Sequence, residues 1–90
     1  MLRPRKQNHL IEHAMDDEVL LYDPAVDRTH RLNTSARLIW ERCDGRHTIN
    51  DIANTLTERF DVEFETALHD ARAVIEQLEQ EQLLSDVSAA

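Results

Sequence analysis

Five histidines and one cysteine are the side chains of this 90-residue sequence that could bind a metal ion or act in catalysis. His9 and His13 have the i, i+4 spacing of zinc ligands on a helix, but the glutamate that would follow the first histidine in an HExxH motif is missing. The segment around them is predicted to be extended, which separates the two imidazoles by roughly 13 Å on one strand face. The other histidines are His30, His47 and His69. We therefore predict surface histidines, no metal site and no cofactor.

The remaining reactive groups fit structural roles better than catalytic ones. Cys43 falls on the apolar stripe of a predicted helix, where a thiol acts as a small hydrophobic side chain. The acids Asp16, Asp17 and Glu18 are consecutive and lack the glycine and the distal glutamate of an EF-hand loop. One glycine, Gly45, cannot build a phosphate-binding loop. We therefore predict that the protein is not an enzyme.

Charge and hydropathy exclude further classes of protein. The chain has ten basic and eighteen acidic residues, and its net charge of −8 repels the phosphates of nucleic acids. The longest apolar run, residues 19–22, is far shorter than the roughly 20 residues that cross a bilayer. A single cysteine forms no internal disulfide, as is usual in a reducing compartment. We predict a cytoplasmic protein that binds neither nucleic acid nor membrane.

Three short strands are predicted before any helix. Residues 9–15 and 18–22 have the apolar content and length of strands and are joined by a turn. A second turn follows at Asp23-Pro24, because proline presets its own φ and favours an extended predecessor. Residues 28–32 then form the third predicted strand.

Three amphipathic helices follow the strands. The first is capped within residues 33–35 and ends at Gly45, because glycine tolerates the left-handed conformation that closes a helix. Thr48 caps the second helix, with Asp51 at the N3 position of a capping box. The apolar stripes of the three helices are Ala36, Ile39, Trp40 and Cys43; Ile49, Ile52, Ala53 and Leu56; and Phe64, Ala67, Leu68, Ala71, Val74, Ile75 and Leu78.

The predicted fold class is α+β and winged-helix-like, with three short N-terminal β-strands followed by three α-helices. Sheet and helices must share one core, because neither half can bury its apolar face alone. The predicted core residues are Leu20, Leu32, Ile39, Trp40, Ile52, Leu56, Leu68, Ile75 and Leu78. The predicted domain spans residues 9–84, between a flexible basic tail over residues 1–8 and a frayed C-terminus over residues 85–90. A solvated tail is predicted, and an arm that touches a partner is the alternative.

Three motifs in register carry a resemblance to a known family. They are Leu32-Asn33-Thr34-Ser35-Ala36-Arg37-Leu38-Ile39-Trp40, then Cys43-Asp44-Gly45 with Thr48-Ile49-Asn50-Asp51-Ile52, and finally Asp70-Ala71-Arg72-Ala73-Val74-Ile75-Glu76-Gln77-Leu78. With these motifs the chain resembles the PqqD family over about residues 18–84. It departs from the family pattern at Gln82, where similar proteins usually have glycine, and at Ala71, where valine is common.

The resemblance implies a peptide chaperone, or RiPP recognition element, where RiPP denotes a ribosomally synthesised and post-translationally modified peptide. Such a protein binds the leader segment of a precursor peptide and presents it to a modifying enzyme. The resemblance implies a radical SAM enzyme as one such partner, in pyrroloquinoline quinone synthesis or another RiPP pathway. In similar proteins the leader adds as a strand to the edge of the third strand and lies in a groove against the third helix.

The residues at these positions support the same placement. The segment over residues 28–31 has no proline, so its edge N–H and C=O groups can pair with an incoming strand. Asp70 lies on the flank of the third helix, where it could meet a basic or N–H group of the leader. The predicted peptide-binding residues are Arg28, Thr29, His30, Arg31, Ala67, Asp70, Ala71, Val74 and Leu78. The alternatives are core packing for the apolar helix residues and solvated edge charges for the arginines.

Other functions stay open at this point. An acidic winged-helix transcriptional regulator has the same order of helices, although the third predicted helix and its flanks carry six acids against Arg72 alone. An enzyme-assembly subunit would contact the modifying enzyme and hold the peptide weakly. An exposed strand edge could also pair two copies of the chain into a homodimer.

Overall fold

The computed structural model describes residues 3–85, and within them five strands and three helices surround one core. The elements in chain order are β1 (Arg5–Lys6), β2 (Ile11–Met15), β3 (Glu18–Asp23), β4 (Arg28–Leu32), α1 (Thr34–Glu41), α2 (Ile49–Arg59), α3 (Phe64–Gln80) and β5 (Leu84–Ser85). The three predicted strands and three predicted helices are all present, which confirms the α+β fold class. No helix in this range is long and apolar enough to cross a bilayer.

Strands β2, β3 and β4 form an antiparallel sheet with β3 in the centre. The turn between β2 and β3 is two residues long, and Asp16 has a φ of 47° there, which aspartate tolerates better than most residues. Val19 of β3 pairs with Leu32 of β4, and both are buried together with Leu21. The first predicted strand begins two residues later than expected, at Ile11.

Side-chain hydrogen bonds determine where the first two helices begin. At the start of α1, Asn33 Oδ1 accepts a hydrogen bond from the backbone N–H of Ala36 at 3.0 Å. At the start of α2, the Thr48 hydroxyl accepts from the Asp51 N–H at 3.1 Å, and the Asp51 carboxylate accepts from the Thr48 N–H at 2.9 Å. These bonds confirm the predicted capping box and make Asn33 the cap of α1. The same hydrogen bond from the Thr48 backbone lowers the pKa of Asp51.

Helix α3 ends in a Schellman motif that has glutamine at the left-handed position. Gln82 has a φ of 61°, and its N–H donates to the carbonyl of Glu79 at 3.0 Å. The N–H of Leu83 donates to the carbonyl of Leu78 at 2.9 Å, and both leucines are buried. The departure from the family pattern at Gln82 therefore falls on a backbone conformation that costs an L-residue roughly 1–2 kcal/mol.

The shared core is centred on Trp40 and Leu21, neither of which is exposed. Seven of the nine predicted core residues are buried, and the exceptions are Leu20 and Leu68, which are half-buried. Leu20 lies on the outer face of the sheet because it alternates with the buried Val19 and Leu21 along β3. Leu68 packs against the margin of the core.

A flexible tail was predicted over residues 1–8, but Arg5 and Lys6 form β1, so the prediction is wrong at these two residues. This strand pairs antiparallel with β5, with Arg5 opposite Ser85. The two strands lie at opposite ends of the sequence, so no local pattern indicates their pairing. Ser85, predicted to be frayed, belongs to β5, and the rest of the predicted frayed end lies outside the described residues.

The turn after α1 also holds β1 in place. The backbone N–H of Lys6 donates to the Cys43 carbonyl at 2.9 Å, and the N–H of Gly45 donates to the Pro4 carbonyl at 2.8 Å. The Lys6 ammonium lies 5.1 Å from the centre of the Trp40 ring, within the range of a cation–π contact. The basic segment is therefore attached to the core by both its backbone and a charged side chain.

Candidate functional site

Strand β4 is an edge of the three-stranded sheet, and its outer side has no strand partner within residues 3–85. The strand contains no proline, and alternate residues of an antiparallel edge direct their N–H and C=O groups outward. The edge can therefore form backbone hydrogen bonds with a further strand.

A groove of about 500 Å³ lies between β4 and the C-terminal half of α3. Three parts of the chain line it: β4, the first turn of α1, and α3 with the residue that caps its end. The lining residues are Thr29, His30, Arg31, Leu32, Asn33, Ser35, Ala36, Val74, Gln77, Leu78 and Glu81. The free backbone edge and an exposed helix face thus border the same space.

One side-chain contact joins the two walls at the end of α3. His30 Nδ1 lies 2.5 Å from Glu81 Oε2, and the His30 side chain is 13% exposed. His30 pairs with the buried Leu21 of β3, so its side chain lies on the helix-facing side of the sheet. Among residues 3–85 this is the one side-chain ion pair between the three-stranded sheet and α3 with its cap. The contact thus bridges the β4 wall and the α3 wall of the groove.

The groove adjoins a second, apolar pocket of about 340 Å³, and Ser35 and Val74 line both spaces. The other lining residues of the pocket are Ile39, Leu56, Phe60, Val62, Ala67, Asp70 and Ala73. Asp70 is the one charged residue among them, so the pocket combines an apolar wall with a single carboxylate.

The structure brings together seven of the nine residues that the sequence predicts for peptide binding. Thr29, His30, Arg31, Val74 and Leu78 line the groove, and Ala67, Asp70 and again Val74 line the pocket.

Two of the predicted residues, Arg28 and Ala71, line neither space. Ala71 has no exposed surface, because it lies in the middle of the buried stripe of α3. Arg28 begins β4 opposite Asp23, at the turn end of the hairpin. A side-chain contact with a bound peptide is therefore not available to Ala71 in this conformation.

Sequence reasoning missed the residues that complete the walls. Gln77 and Glu81 follow Val74 by three and seven residues, so helical spacing could have placed them on the same face of α3. Phe60 caps the end of α2, and the structure places it in the pocket wall. Ser35 was considered as a helix cap alone, and no sequence signal indicates that it lines both spaces.

Three other chemistry-bearing side chains, those of Cys43, His9 and His47, are engaged in structural contacts. Burial raises the pKa of the Cys43 thiol to about 12, so the group stays protonated at neutral pH. His9 Nε2 lies 3.0 Å from Asp23 Oδ1, and His47 Nδ1 lies 2.9 Å from Asp44 Oδ1. In the described range no three His, Cys, Asp or Glu side chains form a group that could hold a metal ion.

The sequence matches the family described as Coenzyme PQQ synthesis protein D (PqqD) over residues 18–84. The chain belongs to the PqqD family. The match runs from the first residue of β3 to the first residue of β5, so it contains both walls of the groove. No curated protein sequence matches this PqqD-family chain.

Solved structures share the PqqD fold of this chain. TbiB1 in complex with the TbiA(beta) leader peptide has a TM-score of 0.83 at 19% identity, covering 94% of this chain and 99% of that one. Lasso peptide synthetase B1 complexed with the leader peptide has a TM-score of 0.83 at 25% identity, covering 94% and 100%. The PqqD truncation of Methylobacterium extorquens PqqCD, described as a stand-alone RiPP recognition element, has a TM-score of 0.75 at 24% identity, covering 92% and 88%.

Proposed function

We propose that this PqqD-family protein binds the leader segment of a ribosomally synthesised precursor peptide and presents it to a modifying enzyme. The observation that carries the proposal is the edge of β4 beside α3, which is unpaired within residues 3–85, with the groove of about 500 Å³ between them. An extended peptide in this groove would add a fourth strand to the sheet and lie against the helix.

Backbone pairing and side-chain contacts would contribute differently to binding. Alternate residues of β4, Thr29 and Arg31, are expected to offer outward backbone groups, whereas Arg28 pairs with β3 and its side chain lines neither space. Hydrogen bonds of this kind give affinity that depends little on the sequence of the guest peptide. Alternate side chains of the guest would face α3, where Val74 and Leu78 provide apolar contacts.

The apolar pocket would accept a guest side chain beyond the end of the added strand. Ala67 and Ala73 are small, which leaves the volume of the pocket open, and Phe60 and Val62 form its apolar wall. Burial of a large apolar side chain there would contribute about 1.5–3 kcal/mol. The pocket would thus distinguish leaders that carry such a residue at the correct position.

The similar structures support this assignment. TbiB1 and Lasso peptide synthetase B1 are each in complex with a leader peptide, and the Methylobacterium extorquens domain is described as a RiPP recognition element. Membership of the PqqD family extends the same function to this chain.

We further propose that the protein binds and does not catalyse. Its one thiol, Cys43, is buried and protonated, and so is not available as a nucleophile. The chemistry would be carried out by the enzyme that receives the leader, and a radical SAM enzyme is the partner class that the family resemblance implies. The cytoplasmic location predicted from the sequence stays a prediction.

Fluorescence anisotropy with a labelled leader tests the proposal. The probe is the synthetic leader of a short precursor encoded near this protein, and its scrambled sequence is the control. We expect saturable binding between nanomolar and low micromolar Kd, or about −8 to −12 kcal/mol, and none for the scrambled peptide. Equal binding of both peptides, or of neither, would contradict the proposal.

Two further assays separate the alternative functions. Tight, salt-sensitive binding of duplex DNA without leader binding would favour a winged-helix regulator. A pull-down of the modifying enzyme that is equally efficient with and without the precursor, combined with weak leader binding, would favour an assembly subunit.

A further inference from the structure

The basic and acidic side chains that line the groove and the pocket each have a close side-chain partner within the described residues, with one exception. His30 is paired with Glu81 at 2.5 Å, and Arg31 Nε lies 2.5 Å from Glu18 Oε1. Asp70 has neither an ion-pair partner nor a side-chain hydrogen bond among residues 3–85. It is therefore the one charged lining residue without a close side-chain partner in the described part of the chain.

The surroundings of Asp70 make this carboxylate selective for what binds beside it. Asp70 is exposed on α3, and no basic residue lines the pocket that it borders. A guest that covers the carboxylate without supplying a donor would remove water from an unpaired charge, which is unfavourable. A guest that supplies a cationic donor would replace that water with a charge-assisted hydrogen bond.

Resting on the proposed function, we propose that Asp70 selects leader peptides in which a lysine or arginine adjoins the large apolar residue that enters the pocket. The charged residues of the groove already have side-chain partners within the protein, so they do not require a charged residue in the guest. The part of the guest beside β4 is therefore expected to carry uncharged side chains at the positions that face α3.

The expected effect is moderate because the ion pair forms close to the protein surface. Exposed pairs of this kind change affinity by about 1.5- to fivefold. The preference also has a geometric signature, because the pocket and Asp70 are fixed on one protein surface. The basic residue should occur at a constant offset from the apolar residue in every peptide that binds.

A peptide display library tests this without knowledge of the natural leader. Random 20-residue peptides are selected on the full chain, on Asp70→Asn and on Glu76→Gln, which removes an equal charge from an exposed position of α3 that lines neither space. We expect the wild type and Glu76→Gln to enrich a basic residue at a constant offset from a large apolar one. Asp70→Asn should retain the apolar residue and lose the basic one. Circular dichroism confirms that both variants are folded.

Selected peptides are then resynthesised with the basic residue replaced by methionine. Binding to the wild type should weaken about 1.5- to fivefold, and binding to Asp70→Asn should be unchanged. A basic preference that persists in Asp70→Asn, or that has no constant offset, would overturn the proposal, because the net charge of −8 attracts cationic peptides without a specific site.

A second modification separates this inference from the proposed function. Selected peptides are N-methylated at alternate backbone positions, which removes N–H donors without changing the side chains. If no selected peptide loses affinity on N-methylation, strand addition itself is contradicted. If N-methylation abolishes binding but Asp70→Asn has no effect, strand addition is supported and the role of Asp70 is rejected.

Discussion

The two outer strands of the three-stranded sheet, β2 and β4, present similar backbone edges in different surroundings. Four of the five β2 residues are exposed, and none of them lines the groove or the apolar pocket. The edge of β4 borders both the groove and a helix wall, with the buried Leu32 at its end. Strand β2 also carries Glu12, which is ion-paired with Lys6 at 3.4 Å, and charged side chains of this kind discourage edge pairing.

Under the proposed function, this difference explains why β4 and not β2 would be the specific binding edge: a second wall accompanies it. Unpaired N–H and C=O groups are available on both strands and carry no information about a partner's sequence. The face of α3 supplies that information for β4, through apolar contacts and the carboxylate of Asp70. No residue of β2 lines the groove or the pocket, so neither space supplies β2 with a second wall within the described residues.

The largest expected effect comes from proline substitutions on the two edges. The residues that flank the short turns begin the hydrogen-bonded pairs of each hairpin, so we expect Thr29 and Ala14 to direct their N–H groups outward. Thr29→Pro should weaken leader binding at least about 30-fold, because it removes a donor and obstructs the added strand. Ala14→Pro should change Kd less than about twofold.

Anisotropy titrations with the labelled leader measure both variants, and circular dichroism confirms that they fold. If the fold of Thr29→Pro is lost, N-methylated leaders test the same hydrogen bonds from the other side. Equal losses at the two edges would remove the distinction between them.

A smaller effect is expected when the two walls of the groove are uncoupled. His30→Ala removes the contact with Glu81 and should weaken leader binding about tenfold, because the groove loses part of its preorganisation. Hydrogen–deuterium exchange of the β4 amides in the free protein should become faster. The control is His69→Ala on the exposed face of α3, which should alter neither the leader affinity nor the exchange rate. Unchanged affinity and unchanged exchange in His30→Ala would show that the contact between His30 and Glu81 does not preorganise the groove.

Filling the apolar pocket should affect binding without affecting the fold. Ala73 is exposed and lines the pocket, so Ala73→Leu should occupy its volume and weaken leader binding about fivefold. The neighbouring Arg72→Leu, which lines neither space, is the matched control. Isothermal titration calorimetry measures both, and an equal change in the two variants would argue against insertion of a guest side chain.

The smallest effect concerns the end of the helix that forms the second wall. Gln82→Gly should raise the free energy of unfolding by about 0.5–1 kcal/mol, because relief of the left-handed strain exceeds the added entropy of the unfolded chain. Urea denaturation measures the change, and leader binding should be unaffected. A lower stability would show that the strain at Gln82 is smaller than the entropy that glycine adds.

The helices and the three-stranded sheet could be predicted from the sequence because their signals are local. The apolar residues of each helix recur at intervals of three or four residues, and the capping box joins Thr48 to Asp51 within one helical turn. The outward position of Leu20 was missed, because residues 18–22 are apolar on both faces and the alternation is hidden.

The parts that could not be predicted depend on residues far apart in sequence. Pairing of β1 with β5 joins the two ends of the described chain. The residues near the basic segment therefore give no signal that this segment forms a strand. In the candidate site, the resemblance and the absence of proline pointed to β4 and α3, which border one groove in the structure. The contact of His30 with Glu81 was not foreseen, because the two residues meet only when the hairpin and the helix end have both folded.

Because Arg5 lies opposite Ser85, the polypeptide enters and leaves this domain at almost the same point. A short linker could close the ends, and new termini could then be opened in the exposed connection at Asp61 and Val62, giving a circular permutant with the same packing. The domain could equally be inserted into a surface loop of a host protein. The two host residues that flank the insertion would need to lie little more than one strand spacing apart.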